Sequence, residues 1–414
     1  MDAPWEELKE RIFSQIDMTR EISDEELMLL IEEEVRIYSR SHLLSLKRRQ
    51  EYERSIFNAL RRLDLISELT SDPEITEILI NGPQHIFYEK NGQLHAWNGG
   101  GLSQEKLADL IQQIAGRANR AVNEAQPILD TRLEDGSRVN IVMSPVAVDG
   151  SAISIRRFPK EPMTLEKLVQ LESVSQKMAQ YLTLLVRAGY NIFVSGGTGS
   201  GKTTMLNALS EQIPASQRVV TIEDSAELQM KSIPNLVRLE TRVSNGSGTE
   251  PITIRDLIRT ALRMRPDRII VGEVRGGECT DMLQAMNTGH DGSLSTGHAN
   301  SCEDMLSRLE MMVLLGGVDL PIQAIRRQIV SGVDILVHLG RMRDRTRKVL
   351  HIAEIDGITD GEIVLNPLFQ FEEEECKGEK VHGIWRKKGT LHHRGKMERE
   401  GLMEEFSALE GAEE

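Results

Sequence analysis

Gly196-Gly197-Thr198-Gly199-Ser200-Gly201-Lys202-Thr203 follows an apolar run, Asn191 to Val194, and opens a helical pattern, Thr204-Met205-Leu206-Asn207-Ala208-Leu209. Strand, glycine loop and helix together give the motif its physical context. The glycines let successive backbone N–H groups turn inward around a phosphate, where a Cβ would obstruct them. The helix that begins at the end of the loop adds unpaired N–H groups and its positive dipole end. Lys202 places a point charge on the β- and γ-phosphates, and the Thr203 hydroxyl is placed to sit on Mg²⁺. A Gly/Ser-rich turn that binds nothing needs neither the Lys-Thr-Thr ending nor both flanks. Gly196 through Thr204 is therefore expected to cradle a nucleoside triphosphate.

Moving outward, two apolar strands end in carboxylates: Thr221-Ile222-Glu223-Asp224 and Arg268-Ile269-Ile270-Val271-Gly272-Glu273. Ligands of a parallel sheet lie beyond the carboxyl ends of its strands, so Glu223, Glu273 and Lys202 are expected to converge. Phosphoryl transfer to water needs one carboxylate near the metal and one to orient the attacking water. Spacing leaves open which does which. His298, in Ser295-Thr296-Gly297-His298-Ala299-Asn300, falls beside the same strand ends; His290, in Thr288-Gly289-His290, is a weaker candidate. On a helix from Thr253, Ile254, Leu257, Ile258, Ala261 and Leu262 share one face, while Arg255, Arg259 and Arg263 share another. Such a stripe is solvated by default. Its place just before the Glu273 strand points instead to phosphate or subunit contact.

With 414 residues the chain is expected to hold two or three domains. A net charge of −14 and an aromatic content of 4% argue against a surface built to track nucleic-acid backbone. Cys279, Cys302 and Cys376 have no metal-ligand spacing and suit a reducing compartment. Met1-Asp2-Ala3-Pro4-Trp5 does not read as a signal peptide, and no apolar run approaches a membrane span. The expectation is a cytoplasmic protein that meets the membrane only through a partner.

The pattern divides the chain into four parts. Residues 1–66 read as helices, with Ser23 and Glu26 as a capping box and an apolar stripe through Leu44, Ile56, Leu60, Leu63 and Ile66. Residues 67–158 read as a small α+β domain, with a hairpin at Asn91-Gly92, a Ser103-capped helix and a turn at Asp135-Gly136. Pro159 and Pro162 mark a linker. Residues 159–370 alternate strand and helix, the sign of a parallel α/β domain, and carry a basic turn at Arg341–Lys348. Residues 371–414 are acidic and mixed-charge and are expected to be a weakly ordered appendage.

The ordered set GGTGSGKTT (196–204), TIEDSAEL (221–228), RMRPDRIIVGEVRG (263–276) and GSLSTGHANS (292–301) resembles the type II/type IV secretion ATPase superfamily. Those would be its Walker A, Asp-box, Walker B and His-box elements. Within that superfamily, MNTGHDGSLSTGHANS (286–301), LDTRLEDGSRVN (129–140) and ISIRRF (153–158) are similar to the CpaF-like ATPases of tight-adherence (Tad) pili. The resemblance covers roughly residues 60–370. It implies a RecA-like core behind a small N-terminal domain, a homo-hexameric ring, ATP and Mg²⁺ as ligands, and an inner-membrane platform as partner. Arg138 and Arg156 match the family's small-domain arginines, and Arg259 and Arg263 would join them in completing the site. Thr203 and Glu273 would support the metal, and His298 would sense the γ-phosphate. Gly297 stands where the wider superfamily carries a bulkier residue. The implied function is a motor for assembly, or for both assembly and retraction, of a Tad-type pilus. The alternatives are a secretion-channel ATPase exporting protein or DNA and a DNA-translocating motor, the last disfavoured by charge.

Overall fold

The structure is a computed structural model that describes residues 8, 11–12, 24–42, 44–61, 69–70, 72–90, 92–98, 102–118, 120–133, 135–157, 163–242, 250–317, 319–374 and 380–411. Ser23, Leu63, Ile66, Asn91, Pro159, Pro162 and Cys376, each named above, lie outside these residues. The chain forms two compact units, Met1–Lys160 and Glu161–Glu414.

In the first unit, helices α1 (Asp24–Ser41) and α2 (Leu46–Arg61) share a core of Leu27, Ile31, Val35, Tyr38, Tyr52 and Ile56. A six-stranded antiparallel sheet follows: β1 (Ile75–Asn81), β2 (His85–Lys90), β3 (Gln93–Ala96), β4 (Ile128–Arg132), β5 (Arg138–Val142) and β6 (Ala152–Arg156), ordered β3-β2-β1-β6-β5-β4. Helix α3 (Gln104–Arg117) begins where the Ser103 side chain accepts from the Lys106 N–H at 3.2 Å. It buries Leu107, Leu110, Ile111 and Ile114 in one core with Ile78, Val139, Ile141 and Ile153. Alternate residues of β5 and β6 supply this core, so the others face away from it, while β3 at the sheet edge is exposed throughout.

The second unit is built on nine strands. Helices α4 (Leu165–Gln170) and α5 (Gln176–Arg187) lead to β7 (Ile192–Gly196), then α6 (Lys202–Ser210), β8 (Val219–Glu223) and β9 (Leu236–Glu240). Next come α7 (Ile254–Ala261), β10 (Arg268–Val271), α8 (Glu278–Asn287), β11 (Leu294–Gly297), α9 (Cys302–Leu315) and α10 (Ile322–Gly332). Strands β12 (Ile335–Arg341), β13 (Arg347–Thr359), β14 (Glu362–Glu373) and β15 (Gly383–Lys387) precede α11 (Gly395–Arg399) and α12 (Met403–Gly411). The order is β15-β14-β13-β12-β7-β11-β10-β8-β9; strands β12 through β9 in that order pair in parallel, and β13, β14 and β15 are antiparallel additions. Every residue of β7, β8, β10 and β11 is buried, as a parallel sheet covered on both faces requires. Ile192 and Val194 enter the core lined by α5 and α6, and Phe193 enters the opposite one, lined by α7 to α10.

The described residues of the segment 371–414 depart from the weakly ordered appendage expected of it. β15 extends the sheet, and Leu391, Met397 and Phe406 are fully buried in the core beside α5. Phe406 meets the Tyr181 ring edge-on at 5.3 Å between centroids. Ion pairs Lys396–Asp334 (2.7 Å) and Arg187–Glu405 (2.9 Å) fasten the same segment. A few apolar anchors spaced through charged sequence suffice, because each fills a place in a core that already exists.

Candidate functional site

The glycine loop leaves β7 at the middle of the parallel sheet. A Cβ on Gly196 would stand 2.6 Å from the Leu339 carbonyl, so that position admits only glycine. Gly201, with φ +95°, is the left-handed residue from which α6 starts. Lys202 is 8% exposed; its Nζ donates to the Gly197 carbonyl at 3.2 Å and lies 3.4 Å from His298 Nδ1. Burial lowers the Lys202 pKa, with Glu273 opposing and Arg275 adding to the shift. The buried Ser200 Oγ has no hydrogen-bond partner in the protein, and Thr203 and Thr204 are half-buried on the first turn of α6.

Neighbouring strand ends supply the rest. β11 lies between β7 and β10, and β8 lies beyond β10. Their carboxyl ends therefore deliver His298, Glu273 and Glu223 along one edge. Glu273 Oε1 is 2.8 Å from His298 Nε2, close but not aligned as a hydrogen bond. Its Oε2 accepts from Arg275 Nε at 2.9 Å and from Nη2 at 2.6 Å. Lys202, His298, Glu273 and Arg275 thus form one connected group. Burial and then the Lys202 charge lower the His298 pKa, which keeps the ring neutral and available as an acceptor or donor. Gly297 is explained by packing. A Cβ there would meet Phe193 at 2.9 Å and Met305 at 3.1 Å.

Glu223 is 3% exposed. Its Oε2 accepts from the Glu227 N–H at 2.7 Å and the Leu228 N–H at 3.0 Å, while Oε1 is buried without a partner. Burial pushes its pKa up to about 7, against the lowering effect of those two amides. The side chain lies against Gly272, where a Cβ would sit 3.0 Å from Glu223 Cγ.

The arginines divide differently from the expectation. Arg259 Nε donates to Asp281 Oδ1 at 2.9 Å, and Arg255 Nε donates to Asp281 Oδ2 at 2.7 Å. Arg259, expected to help complete the nucleotide site, has a local acid instead, because packing of α7 on α8 supplies Asp281. Arg263 is exposed just beyond α7. In the first unit, Arg132, Arg138 and Arg156 stand opposite one another on β4, β5 and β6, and Arg156 pairs with Glu77 of β1 at 3.1 Å. His290 Nδ1 lies 3.2 Å from the Ala285 carbonyl, at the C-terminal end of α8. Arg275 was missed by the sequence reading. Its signal is its place two residues after Glu273 in GEVRG.

These residues fit a nucleoside triphosphate and its metal. The loop holds left-handed glycines with a buried lysine over them, Ser200 Oγ and Glu223 Oε1 are buried acceptors without partners, and a second carboxylate stands beside Lys202. Such a set can neutralise phosphate charge at one point and take a proton from water at another.

Comparison with known proteins agrees. The family described as Type II/IV secretion system protein matches residues 61–408. A Mycobacterium tuberculosis protein whose name assigns it to conjugal transfer is 36% identical over 301 residues, 70% of this chain and 83% of that one. The type IV secretion system protein VirB11 of Brucella suis is 34% identical over 311 residues, 69% of this chain and 86% of the relative. Among solved structures, the ATPase DotB of Legionella pneumophila is similar with a TM-score of 0.51 at 24% identity, covering 69% of this chain and 78% of that one. That last likeness shows the fold alone.

Proposed function

The chain belongs to the type II/IV secretion system protein family, and from that premise we propose that it is an ATP-hydrolysing motor, working as a homo-hexamer against an inner-membrane platform to drive assembly of a Tad-type pilus. The observation that carries the ATPase part is the junction of Lys202, His298 and Glu273 at one sheet edge, with Glu223 buried beside Gly272. The pilus assignment rests on the similarity of segments 129–140, 153–158 and 286–301 to CpaF-like ATPases. Among the described residues no helix is long and apolar enough to cross a membrane, so force would reach the membrane through a partner.

Lys202 and the loop N–H groups bind the phosphates and hold them against the strand ends. Glu223, titrating near neutrality, takes the proton of the attacking water at Oε1, the oxygen that no amide occupies. Thr203 and Glu273 would hold Mg²⁺, which supplies charge neutralisation at the phosphate oxygens. His298 links Lys202 to Glu273 and so reports phosphate contact to the end of β11.

The VirB11 and conjugal-transfer relatives favour a second reading, a secretion-channel ATPase. Turnover by the purified chain with and without DNA, followed by crosslinking to membrane proteins, separates the cases. ATP hydrolysis indifferent to DNA and crosslinks to a pilus platform are expected. DNA-stimulated turnover would move the assignment to nucleic-acid translocation, and crosslinks to a channel would move it to secretion.

A further inference from the structure

The basic hairpin tip Arg341-Met342-Arg343-Asp344-Arg345-Thr346-Arg347-Lys348 has no part in the mechanism above. Its position follows from the topology of the sheet. β12 runs parallel to β7, and Leu339 stands opposite Gly196, the residue at which β7 becomes the glycine loop. β12 therefore continues past the loop, and its last residue, Arg341, is paired across the hairpin with Arg347.

Both arginines reach the loop. Arg347 Nε donates to the Gly199 carbonyl at 3.0 Å, and its Cδ comes within 3.6 Å of the Cβ position of Gly201. Arg341 Nη1 comes within 3.7 Å of the Cβ position of Gly199. Two other cations of the tip are engaged elsewhere: Arg343 pairs with Glu373, and Lys348 donates to the Glu172 carbonyl at 2.9 Å beneath the rings of Phe371 and Trp385. Like charges directly opposed on antiparallel strands cost stability. An anion at the loop would offset that cost.

We propose that Arg341 and Arg347 belong to the nucleotide site, Arg347 positioning the glycine loop through Gly199 and Arg341 carrying a guanidinium to the polyphosphate. The proposal rests on the reading of the chain as an ATPase. A trans amide is rigid and planar, so holding the Gly199 carbonyl fixes the whole Gly199–Ser200 peptide plane. A guanidinium adds two or more donors in a fixed fork that matches phosphate oxygens, which the compact ammonium of Lys202 does not.

The test measures the Kd for a fluorescent ADP analogue and the kcat and KM for ATP on the full chain. Wild type is compared with Arg341→Gln, Arg347→Gln, Arg347→Lys and, as a control on the same hairpin, Arg343→Gln. A lost charge-assisted contact should raise Kd and KM about 10-fold in Arg341→Gln while kcat stays within about 2-fold. Arg347→Gln should raise KM and also lower kcat, because the loop loses its anchor, and Arg347→Lys should restore little of either. Arg343→Gln should match wild type, and thermal melts by circular dichroism should show all variants folded. Wild-type Kd and KM in both Arg341→Gln and Arg347→Gln would overturn the proposal. Failure of the wild type itself to bind the analogue would instead overturn the ATPase reading.

Discussion

Glu223 shows how a single side chain acquires a task from its surroundings. An exposed glutamate titrates at about 4.3, but burial holds this one up to about 7. Between those values the folded chain binds a proton that the unfolded chain has released, so stability falls as pH rises through this window. Replacing Glu223 with Gln removes that dependence, so the stability gap between variant and wild type should shift by about 3 kcal/mol from pH 4.5 to pH 7. Parallel denaturation profiles across that range would refute the raised pKa. Turnover of Glu223→Gln should drop by ~10²–10⁴ with ATP binding kept, whereas Glu273→Gln should weaken metal dependence and binding as well. Equal loss of binding in both would take the base role away from Glu223. Lys202→Ala should abolish nucleotide binding while circular dichroism stays unchanged, since the residue serves phosphate rather than the core; binding near wild type would sink the loop assignment. Residues such as Lys202 were legible in the sequence because their chemistry is written in neighbours one to six positions away. Asp281 as the partner of Arg259 was not, because that pair forms across 22 residues when two helices pack.

At the scale of elements, the alternation of buried strands and helices from Met163 onward reads directly from apolar runs, since central parallel strands need no polar face. The C-terminal segment did not read that way. β15 and α12 lie in a stretch of mixed charge, with Arg386 and Lys387 in the strand and Glu404, Glu405 and Glu410 in the helix, and fold because Phe406, Met397 and Leu391 find places in the core beside α5. Phe406→Ala should therefore cost about 3–5 kcal/mol, as for other buried aromatic deletions, measured by denaturant unfolding. A loss under about 1 kcal/mol would mean that the segment is an appendage after all. Gly297 gives a second case. The resemblance made it an oddity, but the approach of Phe193 and Met305 makes it a packing requirement at the residue before His298.

At the scale of the whole molecule, each unit carries its own set of charged side chains. The second holds the loop, the carboxylates and His298; the first holds Arg132, Arg138 and Arg156 side by side on adjacent strands. Arg156 also pairs with Glu77 of β1. In phosphoryl transfer an arginine brought from another body contributes ~10³–10⁵-fold in rate and makes hydrolysis depend on rigid-body motion. If the motor is a ring, Arg138 of one copy acts on nucleotide held by Lys202 of another. Specific activity should then rise with protein concentration as rings assemble. An Arg138→Ala chain has an intact loop without the arginine, and a Lys202→Ala chain has the arginine without the loop. Each alone should be inactive. Mixing them should restore turnover, because some sites then pair an intact loop with an intact arginine from a different chain. No recovery on mixing, together with concentration-independent turnover by a species of monomer mass, would remove the shared-site mechanism.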